Sequence, residues 1–561
     1  MEEPKPPDNR NINTEKGNYN ERIEGDYIQG NVFQNIFNIL GGQQTTPVGN
    51  PARPKNERIL LAAVKEEVTS RLRQSLHNAV LINLGKESQP QQVKRPWDAE
   101  IKIGLKPAKP LPDTTTTLEV FDSEEIAGKL LILGAPGAGK TTTQIELAQA
   151  LVKRAEEHPD YPVPVLFNLS SWKDDRQSLT DWLVAELKSK YGVSNKLGQD
   201  WVDNHQLLPL LDGLDELEPQ RQELCVHAIN QFLGGETRPL YLVVCSRSEE
   251  YSNYSTQLHL NGSIYLQPLT TDQICDYLTS INSIELWSTI SNDLDLLELL
   301  KTPLLLSITV LASQEISVEE WQYLDSTADR IQYLLDAYIG RMLIRDINSR
   351  AYLNNKTPNA RETRMWLVWL AKQMQRESET EFLIEQMQPA WLNHTSLILK
   401  YRLIHGLIFG VFFGLFYGLS FGLYGLISGL ISGVFFGQPD LTIENKKITN
   451  QGIWKSASNA VFLGLSLGLI YGLLGLFFGL SFGLLGLSLG LIYGLIFGGR
   501  TCIQHFILRL ILYFNGCIPW NYARFLDYCT ERLFLQRVGG RYRFIHKLLQ
   551  DHFAEMEFKR N

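Results

Sequence analysis

Apolar residues first fall into a period near 3.6 between Asn56 and about Leu84, where Ile59, Leu60, Val64, Val68, Leu72 and Leu76 recur at helical spacing. The spacing predicts one amphipathic helix that serves packing. After a proline-broken stretch the pattern changes at Lys129: short apolar runs alternate with longer amphipathic segments to about Leu278. That alternation predicts a parallel sheet covered by helices on both faces. From Asn282 to Gln388 the period is helical again, with Met365, Trp366, Trp369, Leu370 and Met374 at steps of three and four, a stripe of core residues and not a cofactor box.

Two later runs, Leu403 to Gly437 and Ala460 to Gly499, hold no Asp, Glu, Lys or Arg. Glycine recurs within them in steps of four and three, for example Gly414, Gly418, Gly422 and Gly425, then Gly464, Gly468, Gly472 and Gly475. An 11-residue repeat averages about 3.67 residues per turn, which keeps glycines on one helix face and permits close helix contact in lipid. At about 1.5 Å per residue such runs would reach roughly 52 and 60 Å, against a hydrocarbon core of about 30 Å. They predict an inserted α-helical transmembrane block over 399–500 with four crossings, or two long tilted helices as the alternative. The intervening segment 438–459 carries Lys446, Lys447 and Lys455 and reads as a cytoplasmic loop, so both terminal domains would face the cytoplasm of a multi-pass protein of the inner or plasma membrane.

These shifts divide the chain into a low-complexity region over 1–55, a lead-in over 56–125, an α/β core over 126–280, a helical domain over 281–398, the apolar block over 399–500 and a C-terminal domain over 501–561. Inside the first lies a short repeat, Gly25-Asp-Tyr-Ile-Gln29 followed by Gly30-Asn-Val-Phe-Gln34, whose amides and aromatic residues suit β stacking. The chain has 561 residues and a net charge of −8, too much for a single core and without the basic field that would attract nucleic acid. Six cysteines without ligand spacing read as reduced, buried hydrophobes. The polar, proline-bearing start MEEPKPPDNR is no secretory signal.

The chemistry concentrates in the α/β core. Leu130 to Leu133 form an apolar strand, followed by Gly134, Ala135, Pro136, Gly137, Ala138, Gly139, Lys140, Thr141 and Thr142 and then a helical segment. Strand, glycine-rich loop and helix in this order make a phosphate cradle: backbone N–H groups wrap the phosphate at a helix N-terminus, Lys140 reaches the β and γ phosphates, and Thr141 ligates Mg²⁺. A second apolar strand, Leu207 to Leu211, ends in Asp212-Gly-Leu-Asp-Glu216. Asp212 is the expected second Mg²⁺ ligand, and Asp215 or Glu216 the carboxylate that polarises the attacking water. A third strand, Tyr241 to Cys245, ends in Ser246-Arg247, where the arginine could read the γ-phosphate.

With GAPGAGKT, PVPVLFNLSSW (Pro162 to Trp172), LLPLLDGLDEL, LVVCSRS and Leu299-Leu-Lys-Thr-Pro-Leu304 in place, the chain resembles the NACHT NTPases of the STAND class, ATP-driven signalling switches. The resemblance implies a three-layer α/β P-loop core joined to helical and winged-helix domains, and slow ATP hydrolysis with Mg²⁺. It also implies a cycle between a closed ADP form and a self-associating ATP form, in settings such as bacterial antiphage defence or stress signalling. By the same resemblance Pro303 would lie against the adenine. The stretch Gly539 to Leu549 would end the winged-helix domain, with His546 on the ADP β-phosphate. Membrane lipid and a second copy of the chain are the expected partners; the trigger is left open. The competing reading is a membrane scaffold that recruits partners through the N-terminal repeat, ATP turnover being incidental.

Overall fold

The computed structural model describes residues 52–76, 99–103 and 109–110, then, with short gaps, 115–411, residue 414, 451–479 and 500–557. The Gly25–Gln34 repeat lies outside the described residues.

Seven strands form one sheet: β1 (Ala99–Ile103), β2 (Lys109–Pro110), β3 (Lys129–Gly134), β4 (Val163–Asn168), β5 (Leu207–Asp212), β6 (Leu242–Arg247) and β7 (Gly262–Leu266). Their order is β2-β1-β7-β3-β6-β5-β4. The last five run parallel, while β1 pairs antiparallel with β7 and with β2 at one edge. The parallel strands read as unbroken apolar runs because helices cover both faces, and Leu130, Leu131, Ile132 and Leu133 are all buried. From β3 the chain crosses to β4 at the far edge, returns through β5 and β6, and places β7 on the other side of β3. The resulting reversal of direction opens a crevice at the carboxyl ends of β3 and β6, the usual ligand position in such sheets. Because β6 stands between β3 and β5, the residues at its tip fall between the glycine-rich loop and the acidic end of β5.

The Lys55–Arg73 helix buries Leu60, Leu61, Val64 and Val68 in the same hydrophobic core as the sheet. Its entry is fixed by Arg53, a buried guanidinium that donates to the carbonyls of Ala155, His158 and Tyr161 at 3.0, 3.0 and 2.6 Å. A cation there satisfies carbonyls at the C-terminus of the Lys140–Glu157 helix, where the dipole favours positive charge.

A second core joins the helices after residue 269 to the C-terminal segment. In it the Pro303–Ala312 helix packs on Thr327–Ile344, and Ala360–Arg376 packs on Lys547–Glu555. The C-terminal segment comprises the Tyr522–Glu531 helix, an antiparallel hairpin of β8 (Leu535–Val538) and β9 (Arg541–Phe544), and the Lys547–Glu555 helix. Tyr338 Oη donates to Leu533 O at 2.6 Å and Arg532 Nη1 to Met342 O at 2.6 Å, so polar bonds as well as apolar contact seat this module on the helical one.

The inserted transmembrane block and the multi-pass placement are corrected here. Among the described residues no helix is long and apolar enough to cross a membrane. Charge-free length is a property of composition, whereas a span needs one continuous apolar helix of about 20 residues. Of the two charge-free runs, the described helices hold 403–411 and 460–476, nine and seventeen residues. The earlier helix, 395–411, carries Lys400 and Arg402, and its Tyr401, His405 and Phe409 are buried. The later one begins at Gln451, inside the segment assigned to a loop. Apart from residues 414, 477 and 479, the remainder of both runs lies outside the described residues.

Candidate functional site

At the end of β3 the backbone turns back on itself through Gly137 (φ 77°) and Gly139 (φ 97°), a left-handed geometry that L side chains seldom adopt. A side chain at Gly137 would also collide, since its Cβ would lie 2.9 Å from both Leu304 Cβ and Thr302 Cγ2. Gly139 is the N-cap of the Lys140–Glu157 helix, so free N–H groups of the first turn converge on the loop. Lys140 is half-buried and donates to Gly134 O at 2.9 Å and Ala135 O at 3.0 Å. Burial lowers its ammonium from the ordinary value. This cation is held by neutral carbonyls and can exchange them for phosphate oxygens at small cost.

Beside it the Thr141 hydroxyl donates to Asp212 Oδ2 at 2.8 Å, which joins the loop to the tip of β5. A hydroxyl and a carboxylate in contact form the oxygen-donor pair that Mg²⁺ takes from a protein when phosphate oxygens and water supply the rest. Among the described residues no group of three or more His, Cys, Asp or Glu side chains could hold a metal by itself. Two oxygen donors from the protein, Thr141 and Asp212, suit an ion that takes its other ligands from phosphate and water.

Asp215 and Glu216 differ in their surroundings. Asp215 is tied down: its Oδ2 lies 2.8 Å from Arg247 Nε, and its Oδ1 accepts from the Arg247 backbone N–H at 3.2 Å. Arg247 also meets Glu250 at 3.0 Å. In this structure Arg247 therefore braces Asp215 against the tip of β6. Among the described residues the Glu216 carboxylate receives a single, long bond, from Asn168 Nδ2 at 3.4 Å. Burial, with Asp212 and Asp215 adding to it and Arg543 and Lys547 opposing, pushes its carboxyl up to about 7. An efficient proton acceptor is a carboxylate whose pKa lies near the working pH.

Pro303 starts its helix against the loop, and the next residue donates from Leu304 N to Gly137 O at 3.3 Å. His546 caps the Lys547–Glu555 helix: its Nδ1 accepts from Leu548 N at 3.0 Å. That bond places the remaining proton of the neutral ring on Nε2. Burial first, then the charges of Lys140, Arg543 and Arg247, push the imidazole down to about 3, so His546 stands near the loop lysine as a neutral donor. Lys140, Thr141, Asp212, Asp215 and Arg247 thus lie at the ends of β3, β5 and β6, the helix that Pro303 begins rests on the loop, and His546 lies within electrostatic reach of Lys140.

Sequence reasoning missed several groups at this crevice. Asn168 lies within PVPVLFNLSSW, where its register at the end of β4 opposite Asp212 follows only from strand pairing. Among the described residues the Arg543 guanidinium has no hydrogen-bond or ion-pair partner, yet its charge opposes loss of ionisation at Glu216 and is itself favoured by Asp212. Glu67 and Arg71, on the helix read only for its apolar stripe, are buried in ion pairs with Lys190 (2.7 Å) and Glu381 (3.1 Å). An i, i+4 charge pair on a helix was the available signal, but such pairs are usually solvated.

No curated protein matches the chain significantly. Residues 129–283 match the family model of the NACHT domain, and with the loop, the Thr141–Asp212 pair and the parallel sheet on the page, this part of the chain is a nucleotide-binding P-loop NTPase domain of the NACHT type.

Proposed function

We propose that the protein is an ATP-hydrolysing switch whose C-terminal module closes over the phosphate site in the ADP form and leaves it in an ATP form that self-associates. The observation that carries this reading is the placement of His546, at the head of the C-terminal helix, near Lys140 of the glycine-rich loop. A module that lies within electrostatic reach of the phosphate site responds to which phosphates are there.

Lys140 would leave the carbonyls of Gly134 and Ala135 for the β and γ phosphates. Thr141 and Asp212 would hold Mg²⁺, which supplies charge neutralisation to the phosphate oxygens when bound. Glu216 accepts a proton from water as its oxygen bonds to the γ-phosphorus; the bond to the bridging oxygen breaks, and ADP and inorganic phosphate leave. Arg247 keeps Asp215 in place beside this carboxylate. In the closed form the His546 Nε2–H donates to the β-phosphate of ADP, and an added γ-phosphate competes for the same space.

The test is calorimetric binding of ATP and ADP to wild type, Lys140→Ala and Glu216→Gln, with oligomer size followed by light scattering. The reading requires that Lys140→Ala lose nucleotide binding and that Glu216→Gln bind ATP, fail to hydrolyse it and gather as a larger assembly. Retained ATP affinity in Lys140→Ala removes the site assignment; a Glu216→Gln variant that hydrolyses normally removes the assigned base.

A further inference from the structure

Residues 377–382 form a strap between the sheet and the C-terminal module. It opens with a left-handed residue, Ser378 (φ 52°). On the sheet side Lys173 Nζ donates to Glu377 O at 2.8 Å and meets Glu379 at 3.1 Å, and Ser378 Oγ donates to Glu218 Oε1 at 3.3 Å. Thr380 Oγ1 accepts from Asn168 Nδ2 at 2.7 Å and pairs with Ser170 Oγ at 2.9 Å. On the other side Phe382 and Tyr542 of β9 exchange both backbone bonds, at 2.6 and 2.8 Å. Gln550 Nε2 donates to Glu379 O at 3.2 Å, and Glu381 lies 3.1 Å from Arg541.

Asn168 is the joint between this strap and the reaction site. Its Oδ1 accepts from Ser170 N at 2.9 Å, which fixes the plane of the amide. The two Nδ2 protons are then divided, one to Thr380 at 2.7 Å and the other to Glu216 Oε2 at 3.4 Å, the far limit of a hydrogen bond. The packing leaves little slack: a Cβ on Gly213 would stand 3.0 Å from Asn168 Oδ1 and 2.8 Å from Glu216 Oε2.

We propose that Asn168 is a positioning residue for Glu216, and that Thr380 draws its amide away from that carboxylate for as long as the C-terminal hairpin is docked, so that hydrolysis waits on the hairpin's departure. The inference rests on Glu216 being the proton acceptor. The charged groups facing Glu216 are Asp212 and Asp215 on its own segment, Arg543 from β9 and Lys547 from the last helix. When the hairpin leaves together with the last helix, Arg543 and Lys547 go with them, and Asn168 remains as the neutral donor that can orient the carboxylate. The strap converts a movement of β9 into a change at Asn168 because Phe382 is bonded into β9 and lies two residues from Thr380.

The test compares full-length Thr380→Val, Thr380→Ser and Asn168→Ala, alone and combined, in steady-state ATP hydrolysis. Thr380→Val should raise kcat about threefold or more, the factor carried by one neutral hydrogen bond, with KM and nucleotide affinity unchanged. Thr380→Ser, which keeps the hydroxyl, should restore the wild-type rate. In the Asn168→Ala background Thr380→Val should have no effect, since coupled residues are non-additive. A wild-type kcat for Thr380→Val, or a gain that persists without Asn168, overturns the inference. If the wild-type chain binds ATP and never hydrolyses it, the proton-acceptor reading fails instead. Hydrogen exchange then still reads the joint: Thr380→Val should speed exchange at residues 168–171, and unchanged exchange there overturns the proposal.

Discussion

Replacing Arg541 by methionine tests whether buried charge holds the C-terminal hairpin on the NTPase core. The Arg541 guanidinium is buried and lies 3.1 Å from Glu381 and 3.8 Å from Glu186, with Ser189 accepting from its other nitrogen. It thus stands between carboxylates from the strap and from the Leu179–Tyr191 helix. Burial works against ionisation of Glu381, but Lys190, Arg541, Arg71 and Arg543 outweigh it and hold the carboxyl well below the usual range. Methionine keeps much of the stem volume and removes the charge, leaving Glu186 and Glu381 to repel each other. Removing one partner of a buried ion pair costs about 3–5 kcal/mol. Arg71 still neutralises Glu381 from 3.1 Å, so the lower end applies, about 3 kcal/mol, or roughly 150-fold in the ratio of docked to undocked hairpin. Stopped-flow release of a fluorescent ADP analogue should accelerate at least tenfold, and hydrogen exchange should rise across residues 541–556. Adding Glu186→Gln should recover part of the loss, because it removes the repulsion. Wild-type ADP release and exchange from folded Arg541→Met would refute the reasoning.

Three further outcomes follow from the geometry. Gly137→Ala should weaken nucleotide binding and lower the melting temperature, because a left-handed alanine costs about 1–2 kcal/mol and its Cβ would strike Leu304 and Thr302; calorimetry of binding and unfolding checks both. Hydrolysis should fall as pH drops through about 7, where Glu216 gains its proton, and a pH–rate profile measures this. The sign for stability is opposite, since a carboxyl raised from 4.5 to about 7 contributes stability that is complete below pH 4.5 and lost as pH rises through 7. Arg53→Ala should destabilise the fold by about 3 kcal/mol, since it strands Glu57 and three carbonyls, while ATP affinity measured well below the melting point stays at the wild-type value.

The phosphate loop was legible because its parts are consecutive: an apolar strand, glycines where φ is positive, and a lysine and threonine at the head of a helix need no distant information. The acidic end of β5 was legible for the same reason, although only packing separated Asp215, braced by Arg247, from Glu216, left nearly free. The glycine-stepped runs misled because a charge count says nothing about where a helix begins and ends, and among the described residues no helix is long and apolar enough to cross a membrane.

By itself the sequence determined a P-loop core with its strands, its glycine-rich turn and its helix starts, since these follow from hydrophobic period, backbone freedom and capping within a few residues. Only the tertiary structure decided that Glu67, Arg71, Glu186, Glu381 and Arg541 meet in one buried charge cluster, and that Thr380 shares the Asn168 amide with Glu216. Those partners lie up to several hundred residues apart, and each is an ordinary solvated charge or hydroxyl until folding removes the water and leaves it only the others to bind.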